Sequence, residues 1–265
     1  MATLRRRRFL NTAYRLLYIA QWLAGVVAAL VGASLKADPV SWASKWAFAG
    51  GVVSSLQNSA WLTLPGLTLF LGVAQLARSM IGPPWVWDAV HQVLDLFRGR
   101  VFRGEAHDPL HYHRVTLFKH VGWRWCLERW PWSGWLVPVE RSAHTTRTTK
   151  VVFRAPDQAD RSEGVAGQTW SRNKMVVATG LPNLQIAPTD ADFLDYSTRT
   201  WVAVPWLRRE PPSARSFAGV PVEVKGKLWG VIVLDSRGEN AIKTKSVTLY
   251  YRLVAPFLSK LLERL

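Results

Sequence analysis

The sequence predicts an α+β protein in two parts: a two-helix transmembrane hairpin, then a domain built from an antiparallel sheet and helices. Three observations lead there. Residues 16–35 and 47–77 carry no charged side chain, and each is long enough to cross a hydrocarbon layer of about 30 Å as a helix. Residues 219–236, GVPVEVKGKLWGVIVLDS, read as two strands about a Lys225-Gly226 turn, with apolar residues on both faces. Residues 86–102 and 247–265 repeat apolar side chains at three- and four-residue steps, the period of helices that bury one face.

The N-terminal part, residues 1–82, takes its orientation from its charges. Arg5, Arg6, Arg7, Arg8 and Arg15 precede the first span, placed at about 14–35. Arg78, Arg98, Arg100 and Arg103 follow the second, placed at about 45–78, while the connection carries only Lys36, Asp38 and Lys45. Positive charge denser at the outer ends predicts a bacterial inner-membrane hairpin with both termini cytoplasmic. Trp42 and Trp46 then fall at the outer interface, and Trp85 and Trp87 at the inner one. RRRRFL before an apolar run also resembles a twin-arginine export signal. The run exceeds the roughly 7–15 residues of such a signal, however, and a second span follows.

Small and polar residues mark both spans. Gly25, Ala28, Ala29 and Gly32 lie on the first; Gly51, Ser54, Ser55, Gln57 and Asn58 on the second. Two readings stay open. Small, weakly polar residues let helices pack closely. Alternatively, Gly51, Ser54, Ser55 and Asn58 line a water-filled pore, which two helices of one chain cannot enclose, so that several copies are required. Asn58 and Gln57 are costly in lipid and should face protein or water.

Residues 83–265 open at Pro83-Pro84. A helix over 86–102 precedes strand-like runs at 114–120, 135–140, 150–154 and 200–205, then the hairpin of 219–236 and a last helix over 247–265. Net charge is +16 over 265 residues. A basic soluble part favours nucleotides, nucleic acid or an anionic membrane surface. Cys126 is the only cysteine, so no disulfide forms within the chain.

EGVAGQTWSRNKMVVATGLPN, residues 163–183, resembles the middle of a GAF domain: Gly164 and Gly167 occupy a Gly-x-x-Gly element opening a short helix, and Lys174, Met175, Val176 and Val177 a strand. Pro221, Gly226, Gly230, Val231, Leu234, Asp235 and Ser236 match the family's last two strands. The resemblance covers about 84–265; residues 105–138, tryptophan-rich, depart from it. It implies an antiparallel sheet with helices on one face and a ligand pocket roofed by loops and short helices on the other. A hairpin apolar on both faces suits that arrangement. Gly226 supplies the positive φ of a tight turn, and Gly230 marks the close approach of a helix or loop.

No catalytic constellation stands out: the sequence has neither a nucleophile elbow nor a phosphate-binding loop, and the expectation is a non-enzyme without a cofactor. His107, His111, His113 and His120 match no common zinc spacing, so no metal is expected. Cations and aromatics gather around the implied pocket: Arg147, Lys150, Arg154, Trp170, Arg172, Lys174, Arg199, Trp201, Trp206, Arg208 and Arg209. Guanidinium groups grip phosphates and aromatic rings stack on bases, so the set suits a nucleotide or short oligonucleotide. Core tryptophans and solvated arginines would give the same list.

The expected protein is therefore an oligomeric membrane effector. A nucleotide-type signal on its GAF-like domain would open or close a pore, and membrane lipid, further copies of the chain and an enzyme that makes the ligand would be its partners. The architecture is similar to that of membrane-permeabilising effectors of bacterial anti-phage signalling. The alternative is a membrane-anchored adaptor that docks a separate protein.

Overall fold

In the computed structural model, residues 2–37, 39, 47–103, 112–123, 132–142 and 151–265 are described. The chain divides into two units, Arg5–Pro84 and Trp85–Arg264.

The first unit is a pair of helices, α1 (Ala2–Ser34) and α2 (Ala47–Ile81). At 1.5 Å per residue each runs roughly 50 Å. Both are long and apolar enough to cross a membrane. Leu16, Ile19, Trp22, Leu23 and Leu30 of α1 and Trp61, Leu62, Leu69, Val73 and Leu76 of α2 are exposed, as a lipid-facing surface requires. The buried residues are small or slim: Ala24 and Val31 of α1, Ala60 and Ala74 of α2. Polar groups tie the pair at both ends. Gln57 Nε2 donates to the carbonyls of Ser34 (2.7 Å) and Ala37 (2.9 Å). Arg78 donates to Gln21 and to the Tyr14 hydroxyl, and its guanidinium lies over the Tyr14 and Tyr18 rings. Gln57 is thus satisfied by protein. Of the pore candidates, Gly51, Ser55 and Asn58 are exposed, and half-buried Ser54 donates to the Gly51 carbonyl. Trp42 and Trp46 lie outside the described residues.

The second unit has the predicted α+β architecture. Its curled sheet holds β1 (His113–Val121), β2 (Trp135–Arg141), β3 (Phe153–Arg154), β4 (Val176–Ala178), β5 (Ser216–Val224) and β6 (Lys227–Ser236), in the order β3-β2-β1-β6-β5-β4, all pairs antiparallel. Lys225 and Gly226 both take positive φ (52° and 72°), which joins β5 to β6 with the right-handed twist the strands need.

One face of the sheet carries α3 (Pro84–Val101) and α7 (Thr244–Leu262). The apolar period of α3 buries Val86, Val90, Leu94 and Phe97. His91 of α3 lies 2.9 Å from Glu140 of β2, and the Tyr251 hydroxyl of α7 donates to the Pro221 carbonyl of β5 at 2.7 Å. The other face carries α4 (Gly164–Arg172), beside which lie α5 (Asp190–Thr200) and α6 (Val204–Arg209). The expected strand over 200–205 is not formed. Thr200 ends α5 with its hydroxyl on the Tyr196 carbonyl, Trp201 closes the helix in the left-handed region (φ 54°), and Pro205 opens α6.

Two glycines set the packing distances. A Cβ on Gly219 would stand 2.0 Å from Thr169 Oγ1, so α4 seats closely against β5 there. At Gly230 the close neighbour is the Phe118 backbone of β1, at 2.1 Å from a would-be Cβ, and not a helix or loop as expected.

Candidate ligand site

Register across the sheet assembles a row of residues on the face covered by α4. Arg114 of β1 stands opposite Asp235 of β6, Asp235 opposite Phe217, and Phe217 opposite Ala178. In the adjoining row Arg141 of β2 faces Thr116, Thr116 faces Val233, and Val233 faces Gly219. Side chains on one face of a sheet recur every second residue, so Arg114, Thr116, Arg141 and Asp235 share a corner.

The corner is charged and only partly open to solvent: the Arg114 side chain is 24% exposed. Asp235 is 7% exposed and Thr116 4%. Arg114 Nε donates to Asp235 Oδ2 at 2.7 Å, and its Nη2 reaches the same oxygen. Burial pushes the Arg141 guanidinium below its ordinary value; Asp235 acts in the opposite sense and the like charge of Arg114 adds to the lowering. Arg141 thus stands beside the Arg114–Asp235 pair, on the same face of the sheet. Burial also raises the Tyr196 phenol, with a further push from Asp235. Its hydroxyl donates to the Ala214 carbonyl at 2.9 Å.

Apolar clusters flank the corner. Phe118, Leu136, Val231, Val233 and Trp170 form one; Leu181, Leu184, Tyr196 and Leu207 form the other, and Phe217 touches both. Within the first, His120 stacks on Trp170 (3.8 Å between centroids, 9° between planes) and its Nε2 lies 3.1 Å from the Ala155 carbonyl. Desolvation lowers the His120 pKa and so favours the neutral ring. Guanidinium groups between apolar walls suit a small ligand carrying a carboxylate or phosphate, because guanidinium presents a planar fork to either group.

The GAF domain model matches residues 88–249, more than half of the chain. The chain belongs to the GAF domain family. The GAF domain is a ligand-binding signalling domain, and the six-stranded sheet with its covered faces is the form expected of it. Among solved structures this chain is similar to the type II free methionine-R-sulfoxide reductase from Thermoplasma acidophilum, at 13% identity, 67% of this chain, 94% of that chain and a TM-score of 0.40. It is also similar to the GAF domain from Acinetobacter phosphoenolpyruvate-protein phosphotransferase (15%, 66%, 82%, 0.36). A third is the Staphylococcus aureus NreA protein mutated in its nitrate-binding site (16%, 62%, 94%, 0.35). No curated protein matches.

The residues read from the sequence as ligand contacts are dispersed over this GAF domain. Arg147 and Lys150 lie outside the described residues, as do His107, His111 and Cys126. Arg154 is half-buried on β3, its amide 3.3 Å from Glu163. Trp170 is in the core and holds His120. Arg172 lies over the Trp201 ring at 5.2 Å; Lys174 and Arg209 are exposed. Arg199 donates to the carbonyls of Gly180 and Thr179 and to Asp195, which fixes the turn after β4. Trp201 and Trp206 pack on the Leu207 cluster. Arg208 pairs with Asp190 at 2.8 Å and covers Phe193. The structure brings Arg172 and Trp201 together, and Trp170 to the edge of the apolar wall. The sequence reading missed Arg114, Thr116, Arg141 and Asp235. Their signal was a charge inside each of three apolar strands. Among the described residues, no three His, Cys, Asp or Glu side chains gather as a metal site would require.

Proposed function

We propose that the chain is a membrane-anchored sensor whose GAF domain binds a small anionic ligand at the Arg114–Asp235–Arg141 corner. The observation that carries this reading is the placing of Arg114 and Arg141 on one face of neighbouring strands, beside a buried Asp235 that Arg114 grips. Guanidinium groups set side by side present planar forks that fit one phosphate or carboxylate. The ligand is a nucleotide or another phosphate- or carboxylate-bearing molecule, made by a separate enzyme, and the domain senses it rather than transforms it.

The output is the helix hairpin, in a bacterial inner membrane with both termini cytoplasmic. Gly51, Ser55 and Asn58 expose a weakly polar face on α2. Polar side chains in a span favour contact with protein or water over lipid, which supports assembly of several copies around a pore. The effector role in anti-phage defence belongs to this proposal and rests on architecture alone. Ligand binding shifts the assembly only in so far as it favours one state.

Native mass spectrometry of the full chain in detergent, before and after washing out small molecules, tests both halves. The expected result is an oligomer of three or more copies carrying an anionic compound that the Arg141→Met variant does not retain. A monomer, or a compound retained equally by the variant, would overturn the reading.

A further inference from the structure

Helix α7 turns Val247, Val254, Leu258 and Leu262 into the domain core. Its opposite face is open. Leu249, Leu253 and Phe257 are 57%, 61% and 68% exposed, and they succeed one another at four-residue steps. Lys245, Arg252 and Lys260 are exposed on the same face. None of its positions 245, 249, 252, 253, 256, 257 and 260 is a carboxylate. Glu263, the next carboxylate along the chain, pairs with Lys260 at 3.2 Å. Three large apolar side chains framed by cations form a surface that lies shallowly in an anionic lipid interface.

Two further features favour lipid over a protein occupant. The end of α7 is tied to the start of the domain: the Arg264 guanidinium sits 5.2 Å over the Trp85 ring, which is itself 52% exposed. Only Gly82, Pro83 and Pro84 separate Trp85 from Ile81, the last residue of α2. Four residues reach at most about 14 Å. If α2 leaves the bilayer near its end, lipid headgroups are within reach of Trp85, and tryptophan is at home among them. A second copy is the poorer fit, because a two-fold contact would set Lys245, Arg252 and Lys260 against their own equivalents.

We propose that the Leu249–Leu253–Phe257 face of α7 docks on the anionic surface of the bilayer that α1 and α2 enter. This rests on the membrane reading of the hairpin. Ligand occupancy in the domain would then be felt at the membrane surface as well as along the chain.

The test uses the full chain in vesicles of phosphatidylcholine, alone or with added phosphatidylglycerol. In a Cys126→Ser background, a bimane label is placed at Leu253→Cys or, as a control, at exposed Ile186→Cys. Spin-labelled lipid should quench position 253 about twofold more than position 186 in the anionic vesicles, as a shallowly buried face requires. The excess should vanish in phosphatidylcholine alone and in R252E/K260E. Equal quenching at the two positions in anionic vesicles overturns the proposal. So does a disulfide between two copies, formed on oxidising the unlabelled Leu253→Cys variant in anionic vesicles, which would mean that a second copy covers it. An alkaline carbonate wash separates the causes. Release of the protein defeats the membrane reading and the docking with it; retention with equal quenching defeats the docking alone.

Discussion

The two faces of the sheet use the same strands differently. Asp235 and Ser236 are neighbours in β6, yet they serve opposite sides. Asp235 meets Arg114 in the charged corner under α4, whereas the Ser236 hydroxyl lies 2.8 Å from His113 Nδ1, whose ring stacks on Phe102 beyond α3. Ile232 and Leu234 belong to the face of α3 and α7, Val231 and Val233 to the face of α4. One face is an apolar seat for two long helices, fastened by a few polar contacts. The other leaves room among shorter helices for charge. The alternation of a strand thus separates an apolar seat from a charged corner by a single residue step.

Substitutions on adjacent residues should expose this division. Asp235→Asn would leave the Arg114 guanidinium without its carboxylate partner, an expected loss of about 3–5 kcal/mol. Added phosphate should restore part of the melting temperature if the corner accepts anions; no recovery would place the pair's role in stability alone. Leu234→Ala, on the other side, should cost about 2–5 kcal/mol through the cavity it leaves, and phosphate should do nothing for it. Thermal unfolding with and without phosphate reads both. Gly219→Ala forces a methyl into Thr169 and should cost about 1–3 kcal/mol, with weaker ligand retention because α4 is displaced.

The smallest effect concerns the fastening of α3. His91 lies 3.1 Å from Asp95 and 2.9 Å from Glu140, and the hydrogen bonds to Asp95 and then Glu140 raise its pKa from 6.5 to about 9 despite desolvation. A pKa raised on folding contributes stability that is complete below pH 6.5 and lost as pH climbs through about 9. Melting temperature should therefore fall across that window, and His91→Gln should flatten the slope. An unchanged slope in the variant would assign the dependence to other groups.

Much of the fold was legible because its signals are local. The period of 86–102 is that of a helix with one buried side, and the Lys225-Gly226 turn requires the positive φ it has. The miss at 200–205 is also physical. Trp201, Val202 and Val204 favour strands by type, but the capping box of Thr189 and Asp192 commits α5, and burial of Tyr196 carries it to Thr200. The charged corner was not legible for a different reason. Arg114 and Asp235 are separated by 121 positions, and only register brings them together. The arginines that cluster in sequence, Arg172, Arg208 and Arg209, are exposed on short helices, where a cation needs no partner to be tolerated.

Gln57 has a consequence for how the protein is made. The carbonyls it satisfies, at Ser34 and Ala37, precede it by 23 and 20 positions. While the chain is being synthesised, α1 is finished before its donor exists. Until the second helix arrives that end has only its own turn to close it: the Ala37 amide donates back to the Ser34 carbonyl at 3.0 Å, and water takes what is left. Gln57 then joins the two helices through the end of the first, so a chain interrupted between them would keep that turn and lose the cross-link.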